Sequence, residues 1–268
     1  MKKIVKFRKI VASGNDFIIV LESDVKRYDF ANLAKKICER KFGIGADGLL
    51  VIGTEKNSLR MRIFNSDGSE AQMCGNGARC AAYFLSKKLK IKNLKIKTAA
   101  GIISASVNKN KVRLKLTQPK ELNLDIPIRV NNRLLKVNFI NTGVPHTVIF
   151  VEGLEKIDVF NLGRLIRHHR YFKPEGTNVD FVEVLWDNFI NLRTYERGVE
   201  DETLACGTGA VAASIITSYK LGKNVKYFKV LTKGGEILKV YFKKEEDRIY
   251  DVWLEGSVKV ICEGGFYV

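Results

Sequence analysis

The feature that most constrains this chain is a glycine-rich motif that occurs twice. The sequence CGNGA at residues 74–78 returns as CGTGA at residues 206–210, which is 132 positions later in a chain of 268 residues. The agreement extends to the flanks, because Glu70 and Glu202 each stand four residues before the cysteine of their motif. The sequence therefore predicts two similar halves, hinged near residues 118–130.

Apolar residues follow the two-residue period of strands in most of the chain, and the helical period is confined to four segments. The predicted strands are Ile4–Ile10, Phe17–Leu21, Leu59–Phe64, Leu94–Lys97, Ile102–Val107, Lys111–Leu116, Thr147–Val151, Phe181–Leu185 and Ile237–Phe242. The predicted helices are Asp29–Glu39, Ala78–Leu89, Val159–Arg167 and Ala210–Tyr219. Because most strands follow one another directly, we expect antiparallel pairing and an α+β fold.

The composition is that of an ordinary globular protein, with 46% hydrophobic and 28% charged residues. This balance excludes a disordered or collagen-like chain. No run approaches the roughly 18 apolar residues of a membrane span. Asn15 and Asp16 also interrupt the apolar stretch that a secretion signal would need. We therefore expect a cytoplasmic protein without membrane partners.

The five cysteines are widely separated, and no pair has the C-x-x-C spacing of a zinc site. We therefore expect thiols rather than disulfides, and no bound metal. Cys38, Cys80 and Cys262 are interpreted as small buried apolar residues.

The formal net charge of +17 on its own suggests an anionic partner such as nucleic acid. In the segments KKLKIKNLKIK, KNKVRLK and KVYFKK, however, lysines alternate with apolar residues and are expected on the solvent faces of strands. We predict a generally basic surface without a nucleic-acid site, whose field would steer a small acidic substrate. Nucleic-acid binding that weakens steeply with salt is the alternative from another class.

In each copy of the motif the cysteine comes just before Gly-x-Gly and an alanine-rich helix. The N–H groups and dipole of a helix N-terminus stabilise a thiolate or a bound carboxylate, so this position is expected to lower the thiol pKa. One such cysteine would suggest a nucleophile, with His146 as its base. Two suggest that Cys74 and Cys206 face one ligand across a cleft. A thiolate then removes a proton from one side of an α-carbon, and a thiol delivers a proton to the other side.

Several polar residues near predicted strand ends suit an amino-acid ligand. An amide can donate to a carboxylate and accept from an ammonium group, and a Glu-Arg dipeptide offers both charges. The candidates are Asn15, Asn65, Asn76, Asn178, Glu196 and Arg197. Turn geometry alone also explains asparagines in turns, and a surface ion pair also explains the dipeptide.

Five motifs resemble those of the diaminopimelate epimerases, in order and over essentially the whole chain. They are SGNDF (13–17), GIGADG (43–48), FNSDGSEAQMCGNGARC (64–80), GTNVDFV (176–182) and YERGVEDETLACGTGA (195–210). The resemblance implies an isomerase without pyridoxal phosphate or another cofactor. Such an enzyme interconverts LL- and meso-2,6-diaminopimelate for lysine and peptidoglycan precursor synthesis, as a cytoplasmic homodimer.

The resemblance also implies two pseudo-symmetric domains, each a curled, mainly antiparallel sheet around a central helix. The N-terminal half would comprise residues 1–119, with residues 257–268 returning to it. The C-terminal half would comprise residues 120–256.

Carried over residue by residue, the resemblance makes Cys74 and Cys206 the acid and base pair, with His146 and Glu196 supporting catalysis. The substrate would contact the side chains of Asn15, Asn65, Asn178, Glu196 and Arg197. Its reacting carboxylate would meet the backbone of Gly75, Asn76, Gly207 and Thr208.

The chain departs from the family pattern at Val144, where the family often has Asn, and at Ile10–Ser13, where a Met-His pair often begins the run. The change at Val144 leaves open which distal group of the substrate is recognised. A racemase of another amino acid, such as histidine or proline, on the same fold is therefore the nearest alternative. A thiol redox function would instead require a regulated disulfide between Cys74 and Cys206.

Overall fold

A computed structural model describes residues 4–56, 58–222, 224–245 and 248–268. Within these residues the chain divides into two compact units. The first unit holds the chain up to Lys115 and again from Gly256 onward, and the second holds Leu116–Glu255.

The described residues contain eighteen strands and five α-helices. The strands are β1 (Ile4–Ala12), β2 (Asn15–Leu21), β3 (Gly48–Glu55), β4 (Ser58–Asn65), β5 (Glu70–Ala71), β6 (Asn93–Thr98), β7 (Gly101–Asn108), β8 (Lys111–Lys115), β9 (Lys120–Val130), β10 (Arg133–Asn141), β11 (Pro145–Phe150), β12 (Asn178–Trp186), β13 (Phe189–Glu196), β14 (Asp201–Thr203), β15 (Phe228–Thr232), β16 (Ile237–Glu245), β17 (Arg248–Ser257) and β18 (Lys259–Tyr267). The helices are α1 (Glu22–Val25), α2 (Phe30–Cys38), α3 (Gly75–Leu89), α4 (Val159–Arg167) and α5 (Gly207–Lys220), with 3₁₀ turns at Leu154–Lys156 and Arg170–Phe172.

The first unit is one sheet that curls around a helix. Its strands pair in the order β18-β1-β2-β3-β4-β6-β7-β8, and β5 pairs with the end of β4. The pairs β2–β3 and β4–β6 are parallel, and the others are antiparallel. Helix α3 contacts seven of these strands, β1, β2, β3, β4, β6, β7 and β8. Its alanine-rich sequence allows this approach, because small side chains let surrounding strands come close.

The second unit repeats this arrangement strand by strand. The order is β9-β10-β11-β12-β13-β15-β16-β17, with β14 on the end of β13. The parallel pairs, β11–β12 and β13–β15, fall at the same places as in the first unit. Helix α5 takes the position of α3 and contacts β10, β11, β12, β13, β15 and β16. The predicted α+β fold of two similar halves, each a mainly antiparallel sheet around a central helix, is confirmed.

The sheet of the second unit is buried on both faces. One apolar cluster joins α5 to the inner face, and a second joins α4 to the outer face. The neighbouring residues Phe181 and Val182 belong to different clusters, because successive side chains of a strand point to opposite faces. Strand β12 therefore reads as a continuous apolar run, which makes a charged residue within it conspicuous.

The predicted helices are confirmed in position, and two begin earlier than predicted. Helices α3 and α5 start at Gly75 and Gly207 rather than at Ala78 and Ala210, so the motif glycines form their first turns. The segment predicted as a hinge is instead largely strand β9, which pairs with β10. In β6 the alternation is confirmed, since Leu94 and Ile96 are buried and Lys95 and Lys97 are exposed.

The cysteine predictions have mixed outcomes. Cys38 and Cys80 are buried as predicted, but Cys262 is exposed on β18, so its interpretation as a buried residue is wrong. Strand β18 lies at the sheet edge and pairs with β1 alone among the described strands, which leaves Cys262 without a covering layer. No helix in the described ranges is long and apolar enough to cross a membrane.

The alternation on β16 gives a direct test of the inner core. Leu238 is completely buried, whereas its neighbour Ile237 is 44% exposed. We expect Leu238→Ala to lower the free energy of unfolding by about 2–5 kcal/mol, because it leaves a cavity beside α5. The matched control Ile237→Ala should change it by no more than about 1 kcal/mol. Urea unfolding followed by circular dichroism measures both, and equal losses would contradict the assigned strand register.

Candidate active site

Both motif cysteines stand immediately before the first residue of a central helix. Cys74 is the N-cap of α3 and Cys206 is the N-cap of α5, each with extended backbone. The first N–H groups of a helix have no intrahelical partner, so each thiol lies beside hydrogen-bond donors. Cys74 is half-buried, and its Sγ accepts from the N–H of Gly77 at 3.4 Å.

A chain of side-chain hydrogen bonds beside Cys74 runs from a buried cation to a carboxylate. Arg79 donates to Asn76 Oδ1 (2.7 Å), Asn76 Nδ2 donates to Asn15 Oδ1 (2.6 Å), and Asn15 Nδ2 donates to Asp47 Oδ2 (3.1 Å). Each amide donates at one end and accepts at the other, so the chain fixes the orientation of both amides. The structure thus brings together Cys74, Asn15 and Asn76.

The remaining candidates of the first unit are more exposed. Gly75, in the first turn of α3, is exposed. Asn65 is also exposed, and its amide donates to Ser69 Oγ at 2.9 Å within the turn that leads to β5. This bond is the turn chemistry that the sequence left as an alternative for Asn65.

In the second unit Cys206 is buried and ends a row of hydrogen-bonded side chains. Its Sγ lies 3.5 Å from Thr208 Oγ1, which lies 2.9 Å from His146 Nε2. The other ring nitrogen, Nδ1, lies 2.6 Å from Asp180 Oδ2. The structure therefore connects three predicted site residues, Cys206, Thr208 and His146, through one network.

The thiol pKa of Cys206 departs from the sequence expectation. Burial raises it, and the nearby carboxylates of Glu196 and Asp180 raise it further. The Thr208 hydroxyl and the N–H of Gly209 act in the opposite direction but are outweighed. The prediction that a helix N-terminus lowers this pKa is wrong for Cys206. Desolvation destabilises the thiolate more than the helix N-terminus stabilises it.

Glu196, Arg197 and Asn178 meet where β12 begins and β13 ends. Burial raises the pKa of the Glu196 carboxyl, with Thr203 and His146 offsetting part of the effect. The Asn178 amide donates to the carbonyl of Pro145 (2.9 Å) and accepts from the N–H of Arg197 (2.8 Å). It thereby ties β11 to the end of β13. The Arg197 guanidinium donates to the carbonyl of Glu175 at 3.3 Å.

Gly207 and Thr208 form the first turn of α5. The carbonyl of Thr208 accepts from the Thr142 hydroxyl at 3.2 Å. A side chain at Gly207 would approach Leu254 Cδ2 to 2.8 Å, so only glycine fits there without repacking.

A bidentate ion pair involves the glutamate that stands before each cysteine in the sequence. Arg62 on β4 donates to both carboxylate oxygens of Glu70, at 2.7 Å each, and Arg193 on β13 does the same to Glu202, at 2.6 and 2.8 Å. Paired hydrogen bonds of this kind fix geometry as well as adding energy. The repeated glutamate therefore anchors β5 or β14 to the neighbouring strand, four residues ahead of the thiol.

Sequence reasoning missed Arg79, Asp180 and Thr194. Asp180 is completely buried and accepts from the Thr194 hydroxyl at 2.7 Å as well as contacting His146. A signal for it exists in GTNVDFV, because an aspartate inside an apolar strand needs a buried partner. Arg79 gives a similar signal as a charged residue on the alanine-rich face of a central helix.

A diaminopimelate epimerase family model matches residues 7–121 and 138–260 of the chain. The chain belongs to the diaminopimelate epimerase family. It is 42% identical to the diaminopimelate epimerase of Aquifex aeolicus, with 97% of this chain and 96% of the relative covered. It is 40% identical to that of Methanocella arvoryzae, with 97% and 96% covered.

Solved structures with much lower identity share the fold. A PhzF-family phenazine biosynthesis protein of Bacillus anthracis matches with a TM-score of 0.74 at 17% identity, covering 99% of this chain and all of the other. A hydroxyproline epimerase of Agrobacterium vitis, with trans-4-hydroxy-L-proline bound, matches with a TM-score of 0.65 at 14% identity, covering 100% and 94%. At these identities the likeness shows the fold alone.

The two motif glycines at the third helical position should differ in their tolerance of a methyl group. A Cβ on Gly209 would lie 2.4 Å from Asp180 Oδ1, whereas a Cβ on Gly77 would come no closer than 3.3 Å, to Leu50 Cδ2. We expect Gly209→Ala to lower the free energy of unfolding by about 1–3 kcal/mol. The matched variant Gly77→Ala should cost less, because its methyl group has the looser contact while both variants gain the same helix propensity of about 1 kcal/mol. Urea unfolding of both compares them, and equal costs would contradict the close contact with Asp180.

Proposed function

We propose that this chain epimerises LL-2,6-diaminopimelate to meso-diaminopimelate, without a cofactor, in lysine and peptidoglycan precursor biosynthesis. Membership of the diaminopimelate epimerase family over most of the chain is the observation that carries the proposal. The twin placement of Cys74 and Cys206 at helix N-caps supports an isomerase that works with two thiols.

The proposed reaction removes one proton from the α-carbon and adds one proton to its opposite face. The thiolate of one cysteine takes the α-proton, and the electron pair stays on the α-carbon and spreads into the adjacent carboxylate. The thiol of the other cysteine then gives its proton to the opposite face and becomes a thiolate. The two cysteines exchange protonation states, so no electrons are gained or lost, and the roles reverse in the other direction.

The α-proton of an amino acid is very weakly acidic, so the negative charge that develops on the carboxylate needs dense N–H donors. We assign this task to the backbone of Gly75 and Asn76 at the start of α3 and of Gly207 and Thr208 at the start of α5. A helix N-terminus supplies aligned N–H groups and a favourable dipole for an anion.

The resting protonation states are proposed to be unequal. Burial and two carboxylates raise the pKa of the Cys206 thiol, which favours Cys206 as the proton donor. Cys74 is half-buried and accepts a hydrogen bond from Gly77, which favours it as the base. His146 and Glu196 support this division, and Asn15, Asn65, Asn178, Glu196 and Arg197 are proposed to hold the substrate.

The homodimer, the cytoplasmic location and the division into domains at residues 1–119 with 257–268 and at 120–256 are proposals as well. The edge strand β18 supports the homodimer, because it carries three large hydrophobic residues that are at least 41% exposed: Val260, Ile261 and Tyr267. Exposed apolar edges are typical of interfaces.

A deuterium experiment tests the two-thiol mechanism. Wild-type protein incubated with LL-diaminopimelate in heavy water should give meso product that carries deuterium at the inverted α-carbon, because the donor thiol exchanges with solvent. We expect Cys74→Ala and Cys206→Ala each to lower the rate by about 10²–10⁴-fold or more, since each removes a positioned acid or base. Chiral chromatography and mass spectrometry measure the product.

Cys262→Ala is the matched control, because this exposed thiol lies on β18 rather than at a helix cap. It should retain the wild-type rate. Near-normal epimerisation by either Cys74→Ala or Cys206→Ala would overturn the mechanism. Turnover of another amino acid, with none of diaminopimelate, would instead overturn the substrate and favour a racemase on the same fold.

A further inference from the structure

The polar network around His146 occupies positions that are apolar in the first unit. On β12 and β13, Asp180 pairs with Thr194. At the equivalent place on β3 and β4, Leu50 pairs with Ile63. The same register holds on the preceding strand of each unit. His146 pairs with Asn178, which stands two residues before Asp180. Phe17 pairs with Gly48, which stands two residues before Leu50, so His146 corresponds to Phe17.

The helix glycines confirm this correspondence independently. A Cβ on Gly77 would contact Leu50 and the ring of Phe17, and a Cβ on Gly209 would contact the carboxylate of Asp180. The same pocket beneath the helix start therefore holds Phe, Leu and Ile in one unit and His, Asp and Thr in the other.

Folding alone does not account for the polar set. Burying polar groups stabilises less than burying apolar ones unless every hydrogen bond is made. The first unit builds the same curled sheet with three apolar residues at these positions, so the architecture has no need of the polar ones. The polar set therefore serves the chemistry of the second unit.

The Asp180 carboxylate sets the direction of each hydrogen bond in this network. An ionised carboxylate only accepts hydrogen bonds, and both oxygens of Asp180 are engaged, Oδ1 by the Thr194 hydroxyl and Oδ2 by His146 Nδ1. His146 Nδ1 must then carry the proton. In the neutral ring Nε2 is left as an acceptor, 2.9 Å from Thr208 Oγ1.

The Thr208 hydroxyl has one proton, which goes to His146 Nε2. Its oxygen is then an acceptor for the Cys206 thiol, 3.5 Å away. Every bond in the row thus follows from the charge on Asp180, although Asp180 is separated from the thiol by two other side chains.

We propose that Asp180 is a positioning residue that fixes His146 as the Nδ1–H tautomer and thereby presents Cys206 as a thiol hydrogen-bonded to Thr208. Thr194 holds the Asp180 carboxylate in place. The proposal rests on the proposed function only for its catalytic consequence, since the tautomer itself is a property of the protein without substrate.

The same row gives the Cys206 proton a route when this cysteine must become the base. The thiol proton passes to Thr208 Oγ1 while the hydroxyl proton passes to His146 Nε2. The products are a thiolate and an imidazolium that is paired with the Asp180 carboxylate, so the proton count is unchanged. A hydroxyl at position 208 is required for this step, but the threonine methyl group is not.

Nitrogen-15 NMR of the protein labelled at histidine tests the tautomer directly. The chain has three histidines, and the single variants His168→Gln and His169→Gln assign the signals of the other two without touching the network. At pH 8, His146 should show a protonated Nδ1 and an unprotonated Nε2. A protonated Nε2, whether in the other tautomer or in an imidazolium, would overturn the proposal.

The catalytic consequence is tested with Asp180→Asn, which keeps the volume but removes the charge. In a serine-protease triad, the same change reverses the histidine tautomer and lowers kcat by about 10⁴-fold. We expect kcat of Asp180→Asn to fall by at least about 10²-fold, with KM changed less than threefold, since Asp180 is completely buried and acts through His146. Loss of the Nδ1–H signature should accompany the fall. An unchanged kcat, or a loss confined to KM, would overturn the assignment.

Two further variants keep the test informative if Asp180→Asn folds poorly. The triple variant His146→Phe, Asp180→Leu and Thr194→Ile installs the residues that the first unit uses at these positions, and it should fold yet lose activity. Thr208→Ser keeps the hydroxyl and should lose less activity than the isosteric Thr208→Val, which removes it. Wild-type activity in the triple variant or in Thr208→Val would overturn the network. Failure of wild-type protein to epimerise diaminopimelate would contradict the proposed function while leaving the NMR result interpretable.

Discussion

A thiol placed at the N-cap of an enclosed helix is the constraint on which the rest of this structure depends. The first turns of α3 and α5 carry N–H groups that need acceptors, and sulfur is a weak acceptor. Serine or aspartate would cap either helix better, but would bind the N–H groups more tightly. A weak cap leaves these donors able to stabilise an anion. The curled sheet, the glycines and the anchored strand before each cysteine all serve to hold the thiols in this position.

The two units show how one architecture carries two electrostatic environments. In the first unit the buried guanidinium of Arg79 donates to Asn76, two residues after Cys74. In the second unit burial raises the thiol pKa of Cys206, and the carboxylates of Glu196 and Asp180 raise it further. A two-base mechanism needs one proton donor and one acceptor at any moment, and identical halves would not distinguish them. The net charge of +17 does not help to attract diaminopimelate, because this substrate has two carboxylates and two ammonium groups. A ligand of net charge near zero is not steered by a uniform field, so the predicted steering does not apply to it.

The sequence was most informative where periodicity and motif spacing acted together. Helix α4 begins and ends at Val159 and Arg167 as predicted, because its apolar stripe alone defines it. The sequence predicts late starts for α3 and α5 because glycine has a low helix propensity, whereas in the structure Gly75 and Gly207 are the first residues of these helices. Both cysteines could be singled out from the repeated motif. The partners of His146 could not, because Asp180 and Thr194 lie far from it in the sequence and meet it only through strand register.

The origin of β18 has a consequence for how the two units fold. Residues 259–267 complete the sheet of the first unit by pairing with β1, although the whole second unit separates them from the other strands of that sheet in the sequence. The second unit instead draws its strands from one continuous stretch of the chain, Leu116–Glu255. Contacts between residues far apart in the sequence form slowly. The second unit is thus able to complete its sheet before β18 closes the edge of the first.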